Sequence, residues 1–310
     1  MAIATTTVVK AQTENYNGFI EPAGFSLGAN GGITDLWGDV GTKSVIDHYK
    51  YHYTDDIKYM GGMFAKYTFH PCFAVRLQGN YGTLYATDKW NTDLAKKATN
   101  LNADAVQRYL RDQDIKDHIT EASLIFEFSP FRLTSDFKIA YKVGQPYILA
   151  GVSYFHYTPY STYNNSGRFI AIKDLHLEGD GWGAGYPAAI KYSQFAIPVG
   201  LGYRWDIGLH MNLGIEYMYR FTFTDYLDGV SGKYVSASEF NANLKGGDEV
   251  TAYQMSDKRY LSDKYGDYIP AGTPGYRGNP NNKDGYSTLS IIIYYKVKNR
   301  TRPWWGDWFY

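Results

Sequence analysis

The sequence predicts an all-β fold: an eight-stranded antiparallel transmembrane β-barrel with long extracellular loops and short periplasmic turns. Three observations point to it. The first is alternation over 209–221, where Leu209, Met211, Leu213, Ile215, Tyr217, Tyr219 and Phe221 are separated by His210, Asn212, Gly214, Glu216, Met218 and Arg220. That is the period of a strand with one greasy and one mostly polar face. The second is length. Such runs extend over roughly 11 to 13 residues, whereas ordinary strands average about 5 to 6 and a tilted strand crossing a bilayer needs about 9 to 11. The third is the regular alternation of short and long connections between runs.

Taken in order, the alternating segments lie near 24–31, 59–69, 73–85, 119–128, 146–157, 193–205, 209–221 and 286–297. The first, second and fifth alternate less cleanly than the others. In the third, Phe73, Val75, Leu77 and Tyr81 oppose Ala74, Arg76, Gln78 and Asn80. The fourth sets Ala122, Leu124, Phe126 and Phe128 against Glu121, Ser123 and Glu127. The sixth sets Phe195, Ile197, Val199, Leu201, Tyr203 and Trp205 against Gln194, Ala196, Pro198, Gly200, Gly202 and Arg204, and the eighth sets Leu289, Ile291, Ile293, Tyr295 and Val297 against Thr288, Ser290 and Lys296. Links after the second, fourth and sixth segments run roughly 3, 17 and 3 residues; those after the first, third, fifth and seventh run roughly 27, 33, 35 and 64. In an even-stranded antiparallel barrel the odd-numbered links share one end, so the long ones become the extracellular loops and both termini face the periplasm.

The polar face then reads as a lumen into which Lys66, Arg76, Glu121, Glu127, Arg204, Glu216, Arg220 and Lys296 project. An eight-stranded barrel is only wide enough for side chains to fill it. Opposed Arg and Glu are therefore expected to pair within a plugged bore, without general porin activity. A lipocalin-like barrel has the same strand number but is shorter and apolar inside, and leaves the loop alternation unexplained.

Composition narrows the function further. With 31 Lys+Arg against 31 Asp+Glu there is no net charge to attract nucleic acid. Aromatic residues make up 17% of the chain, including 31 Tyr and 7 Trp, amphipathic rings suited to the boundary of lipid and water. No apolar run reaches the roughly 18 residues of a membrane-crossing helix, while the polar lumen face keeps the mean hydropathy at −0.40. The single cysteine, Cys72, reads as a small turn residue. The chain divides into a leader or signal-peptide remnant at 1–23, the outer-membrane barrel at 24–297 and an aromatic-rich periplasmic tail at 298–310. Within the loops, 102–111 has an acidic start, a basic end and Asn102 as its capping residue, so a short helix is expected there. The Gly-, Pro- and Asn-rich stretch 270–283 reads as irregular.

Signals for chemistry are weak. His48 and His52 have helical ligand spacing beside Asp47, Asp55 and Asp56 but lack a zinc-protease motif, and read as a solvated loop. Asp225, Asp228, Asp263 and Asp267 could meet around calcium, without the spacing of an EF-hand. Glu121, Glu127 and Glu216 could act as acid and base, though their alternation with arginines favours ion-paired filling. Ser231 has neither a nucleophile elbow nor a nearby histidine. No enzyme, catalytic residue, metal or cofactor is therefore expected. The tail combines Arg300 and Arg302 with Trp304, Trp305, Trp308, Phe309 and Tyr310, a group suited to a partner's pocket or a membrane surface, or to folding back on the barrel.

Four stretches resemble the PorG-like outer-membrane barrel family of the Bacteroidetes type IX secretion system. They are 28–39 (Gly-Ala-Asn-Gly-Gly-Ile-Thr-Asp-Leu-Trp-Gly-Asp); 73–85 followed by 119–128; 145–152 with Pro159 and the later Leu177-Glu178-Gly179-Asp180-Gly181; and 197–202 with Glu216, Arg220 and the block Asp225-Tyr226-Leu227-Asp228-Gly229-Val230-Ser231 with Tyr234. The last is the most specific. The resemblance implies an outer-membrane protein that meets a periplasmic ring of PorK-like lipoprotein and PorN-like protein, in a machine for protein export and gliding motility. It implies no catalytic residue. Asp180 stands where the family has Gln, and with the long fourth loop and the aromatic tail it leaves room for a paralogue with another role. The alternative is a narrow OmpA/OmpW-like barrel with a structural or small-ligand transport role. In the scaffold reading the contact surface is the periplasmic end: the turns at 70–72, 129–145 and 206–208, and the tail.

Overall fold

The computed structural model describes residues 24–42, 57–70, 72–100, 102–133, 144–164, 166–207, 210–259 and 275–297. The strands are β1 (Gly24–Trp37), β2 (Lys58–His70), β3 (Phe73–Thr87), β4 (Asp114–Phe128), β5 (Gln145–Thr162), β6 (Phe169–Ala171), β7 (Ser193–Asp206), β8 (Met211–Thr222) and β9 (Gly285–Lys296). All pairings between them are antiparallel. The ladder runs β4-β3-β2-β1-β9-β8-β7-β5 and the additional β4–β5 pairing shuts it into a ring, so among the described residues the eight ring strands leave no open edge. The chain is a closed eight-stranded antiparallel β-barrel. The three-residue β6 lies outside the ring, against the far end of β5.

Which way each side chain points explains why these residues make a barrel and not a sandwich. In β8, Asn212, Glu216, Met218, Arg220 and Thr222 are buried, while Ile215, Tyr217 and Phe221 are exposed. β3 repeats the inversion, with Arg76 at 0% exposure and its neighbour Leu77 at 63%. Around the wall Met63, Leu124, Val152, Leu201, Leu289 and Ile291 are also exposed. An apolar belt that encircles the molecule far exceeds what a water-soluble surface carries, whereas it matches the lipid-facing band of a membrane barrel.

Aromatic rings gather where such a wall leaves the hydrocarbon. At the β2–β3 hairpin end, Phe73 packs on Phe69, Phe126 and Phe128 with centroids 6.2, 5.6 and 5.2 Å away. Tyr203 and Trp205 meet at 4.9 Å beside the β7–β8 hairpin. Both ends of the described barrel reach this same rim, where the Val297 amide donates to Phe25 O.

Several strands are longer than the sequence pattern marks. β1 extends to Trp37, β4 begins at Asp114 and β5 continues to Thr162, each at the end away from the short hairpins. There the wall is covered by loops and the outward face no longer has to be apolar, so the alternation fades. The loops fold into helices α1 (Thr92–Lys97), α2 (Asp104–Arg111), α3 (Ala237–Asn243) and α4 (Asp248–Ser256). The 102–111 helix starts two residues late. Its N-cap is Ala103, which makes no side-chain cap, and the Asn102 amide instead donates to Asn100 Oδ1. Residues 275–284 contain only the isolated Lys233–Tyr276 bridge.

Candidate functional site: a filled lumen beneath a folded cap

Seven of the lumenal residues form two ion-paired groups. Arg76 donates both terminal nitrogens to Glu216, at 2.8 and 3.0 Å, and Tyr147 OH donates to the same carboxylate at 2.6 Å. Glu127 gathers Arg204 at 3.1 Å, Arg76 Nε at 3.5 Å and Lys66 at 3.6 Å. A second group centres on Glu121, which takes Arg220 Nε at 3.1 Å, Ser123 at 2.5 Å and the Tyr286 hydroxyl. Arg220 also donates to Thr288 Oγ1 at 2.6 Å. Lys296 is buried near the hairpin end, where its backbone amide donates to His210 O.

The aromatic half of this filling carries no signal in the sequence. Each clustered cation stacks on a ring: Lys66 over Tyr294 at 4.0 Å, Arg76 over Phe64 at 4.9 Å, Arg204 over Tyr147 at 4.7 Å and Arg220 over Tyr286 at 5.1 Å. Buried Ile125, Leu149, Met218 and Ile292 pack among them. A desolvated guanidinium is tolerated only when its donors are satisfied, and here carboxylates hold the edges while ring faces attract the charge. Among these lumenal groups the pairing leaves no continuous column of water-exposed charge.

Above the lumen, segments distant in sequence share an apolar core that includes Leu36, Val40, Trp90, Ile115, Leu177, Leu227, Val230, Phe240 and Met255. Buried charges tie its parts together. Arg111 holds Asp88 at 2.7 and 2.8 Å and donates to the carbonyls of Asp39 and Arg277 at 2.6 and 2.5 Å. Arg277 joins Glu178 at 2.9 Å, and Glu178 accepts the Ser231 and Gly232 amides at 2.8 and 2.7 Å. Lys258 reaches Asp114 at 2.6 Å. Burial works against the Arg111 charge, but Asp88 more than offsets it and leaves the guanidinium pKa above its ordinary value.

The block 225–231 lies at the centre of this cap. Asp228 accepts the amides of Asp39, Val40 and Val230, and Asp284 accepts those of Leu227 and Asp228. Burial pushes the Asp228 carboxyl up to about 7 despite the Val230 amide, with the charge of Asp39 adding to the rise. Asp225 is raised to about 6, and Asp284 is raised well above the ordinary range, in both cases chiefly by burial. Tyr226 and Ser231 belong to the same block, whose buried members are Asp225, Leu227, Asp228, Val230 and Ser231. Beneath it, Asp117 of β4 is fully buried with no hydrogen-bond partner for either carboxylate oxygen.

Among the described residues no group of three or more His, Cys, Asp or Glu side chains is arranged to hold a metal ion. His48, His52, Asp263 and Asp267 lie outside the described residues, as do 1–23, most of the 129–145 turn, and the tail residues Arg300, Arg302, Trp304, Trp305, Trp308, Phe309 and Tyr310.

No family model matches the sequence, and a search of curated proteins finds no relative. Solved structures do match in outline. The neisserial surface protein A is 11% identical with a TM-score of 0.35, covering 89% of this chain and 98% of that one. The outer membrane protein OprG from Pseudomonas aeruginosa is 12% identical with a TM-score of 0.35, covering 90% and 98%. Ail, the attachment invasion locus protein of Yersinia pestis, is 8% identical with a TM-score of 0.34, covering 88% and 99%. The fold assignment rests on the closed strand ladder itself.

Proposed function

We propose that this chain is an outer-membrane barrel that serves as an anchor or scaffold and not as a conduit. The observation that carries the reading is the bore filled by Arg76, Glu216, Glu127 and Arg204 inside an apolar wall. A barrel of this strand number has no width to spare, and charges locked to carboxylates and rings do not make way for a solute without breaking buried pairs. Purified protein inserted into planar bilayers should give no stable conductance steps. Sustained ohmic steps would sink the closed-bore reading.

The finer reading is a role in type IX secretion, with the periplasmic end meeting PorK-like lipoprotein and PorN-like ring proteins. It is supported by the likeness of Glu216, Arg220 and the block Asp225, Tyr226, Asp228 and Ser231 to the PorG-like family. In this reading the partner-binding group is Arg300, Arg302, Trp304, Trp305, Trp308, Phe309 and Tyr310. Deleting 300–310 should abolish co-purification of ring lipoproteins; unchanged recovery counts against the tail. A narrow OmpA/OmpW-like barrel for structural or small-ligand roles is the second reading, favoured by a solvent-open cavity in the cap.

A further inference from the structure

That cavity, of about 20 Å³, is lined by Pro159, Ile172, Leu177, Ile190, Tyr192 and Tyr226, with Glu178, Asp180 and Arg277 as its charged members. Two of those charges cancel, because Glu178 and Arg277 pair at 2.9 Å and Arg277 also donates to the carbonyls of Ser256 and Gly229. Asp180 is different. It is 3% exposed, its Oδ2 faces His176 Nδ1 at 3.2 Å, and its Oδ1 has no hydrogen-bond partner. A buried carboxylate oxygen left without a donor is costly, and here the residue that bears it borders an opening to solvent.

The surroundings favour a cation. Burial raises the Tyr192 phenol pKa, and the charges of Asp180 and Asp174 raise it further, so two carboxylates act on the ring that lines the cavity. One ammonium already uses this ring, with Lys173 Nζ 5.2 Å from its centroid. A divalent metal is poorly served, since calcium needs about six to eight oxygen ligands and no carboxylate cluster of that kind exists among the described residues. The innermost space accommodates a group of about one water molecule's size, which is the size of an ammonium head. Ile172, Leu177 and Ile190 offer apolar cover for the methylenes behind it.

We propose that this cavity binds a primary alkylammonium group, with Asp180 Oδ1 accepting its N–H bonds and Tyr192 and Tyr226 flanking the charge. The site is independent of the anchoring role and stands or falls separately from it. The ammonium could be carried by a free polyamine or by a lysine side chain.

Isothermal titration of the full-length barrel, folded in detergent micelles, tests it with n-butylammonium, putrescine and Nα-acetyl-lysine methylamide, against neutral n-butanol and calcium chloride. Saturable binding of the amines, absent for n-butanol and about tenfold weaker in Asp180→Asn, is expected, and the ranking of putrescine against the lysine derivative identifies the natural source. Equal binding of n-butanol, amine affinity unchanged in a folded Asp180→Asn, no amine binding, or calcium binding that excludes the amines would each overturn the proposal. Should Asp180→Asn fail to fold, the exposed Lys173→Met variant decides: removing the competing ammonium should tighten amine binding at least about twofold, and unchanged or weaker binding overturns it.

Discussion

Glu216 holds two nitrogens of Arg76 and the hydroxyl of Tyr147 at once, so its loss strands a fully buried guanidinium and a phenol together. Removing one partner of such a pair costs about 3 to 5 kcal/mol. Glu216→Ala is therefore expected to lower unfolding stability by that amount in urea titrations of vesicle-embedded protein, and a loss below about 1 kcal/mol would show the network to be energetically idle. Tyr147 reaches Glu216 because its cross-strand neighbour is Gly202: a Cβ there would meet the ring at 2.2 Å. In the cap, Asp228 acts with the opposite sign to a stabilising ion pair. Its folded pKa of about 7 is above the unfolded value of about 3.9. Ionisation is thus harder in the folded cap, and stability falls as pH rises from about 4 through about 7 before levelling off. Asp225 and Asp284 shift the same way. Amides of 227–232 should exchange faster at pH 8 than at pH 5 after correction for intrinsic rates, with the difference reduced in Asp228→Asn. Equal protection at both pH values would refute the linkage.

At the scale of the strand, β8 states the rule that made the fold readable: Ile215 faces outward beside Tyr203 and Ile291, while Glu216 faces the bore. Arginine on the lipid face costs about 2 to 4 kcal/mol near mid-bilayer. Ile215→Arg should lose that much when folded into phospholipid vesicles, and a loss below about 1 kcal/mol would argue that this wall does not meet lipid. The same rule explains where the sequence falls silent. β2 and β5 bury Phe64, Leu149, Phe155 and Tyr157 inside the barrel, so both of their faces carry apolar side chains and alternation blurs. The lumenal cations were legible as a polar face, but not the rings beneath them, since an aromatic residue looks alike on either side of a wall. The cap was nearly invisible. Arg277 and Glu178 are 99 residues apart; Arg277 lies in the stretch that reads as irregular and Glu178 in the 177–181 likeness, with no spacing to connect them. The helix at 104–111 could be seen because it carries its own signal, an acidic first turn with Asp104 paired to Arg108.

For the whole molecule, closure at three levels fits an anchor: the described eight-stranded ring has no free edge, charges and rings fill the bore, and a packed cap covers one mouth. The short β2–β3 and β7–β8 connections share the opposite rim with the start of β1 and the end of β9. In outer-membrane barrels the rim with short turns faces the periplasm, and by that rule the cap is expected outside the cell. Thiol labelling reads this directly, because the native Cys72 is buried and contributes little background. Lys245→Cys, exposed between α3 and α4, should react with a membrane-impermeant maleimide on intact cells. Ile207→Cys, 59% exposed at the β7–β8 turn, should react only after the outer membrane is permeabilised. The reverse pattern would invert the barrel and remove the hairpin rim from reach of any periplasmic ring. The expected pattern would make that rim the only end of the barrel available to such a partner.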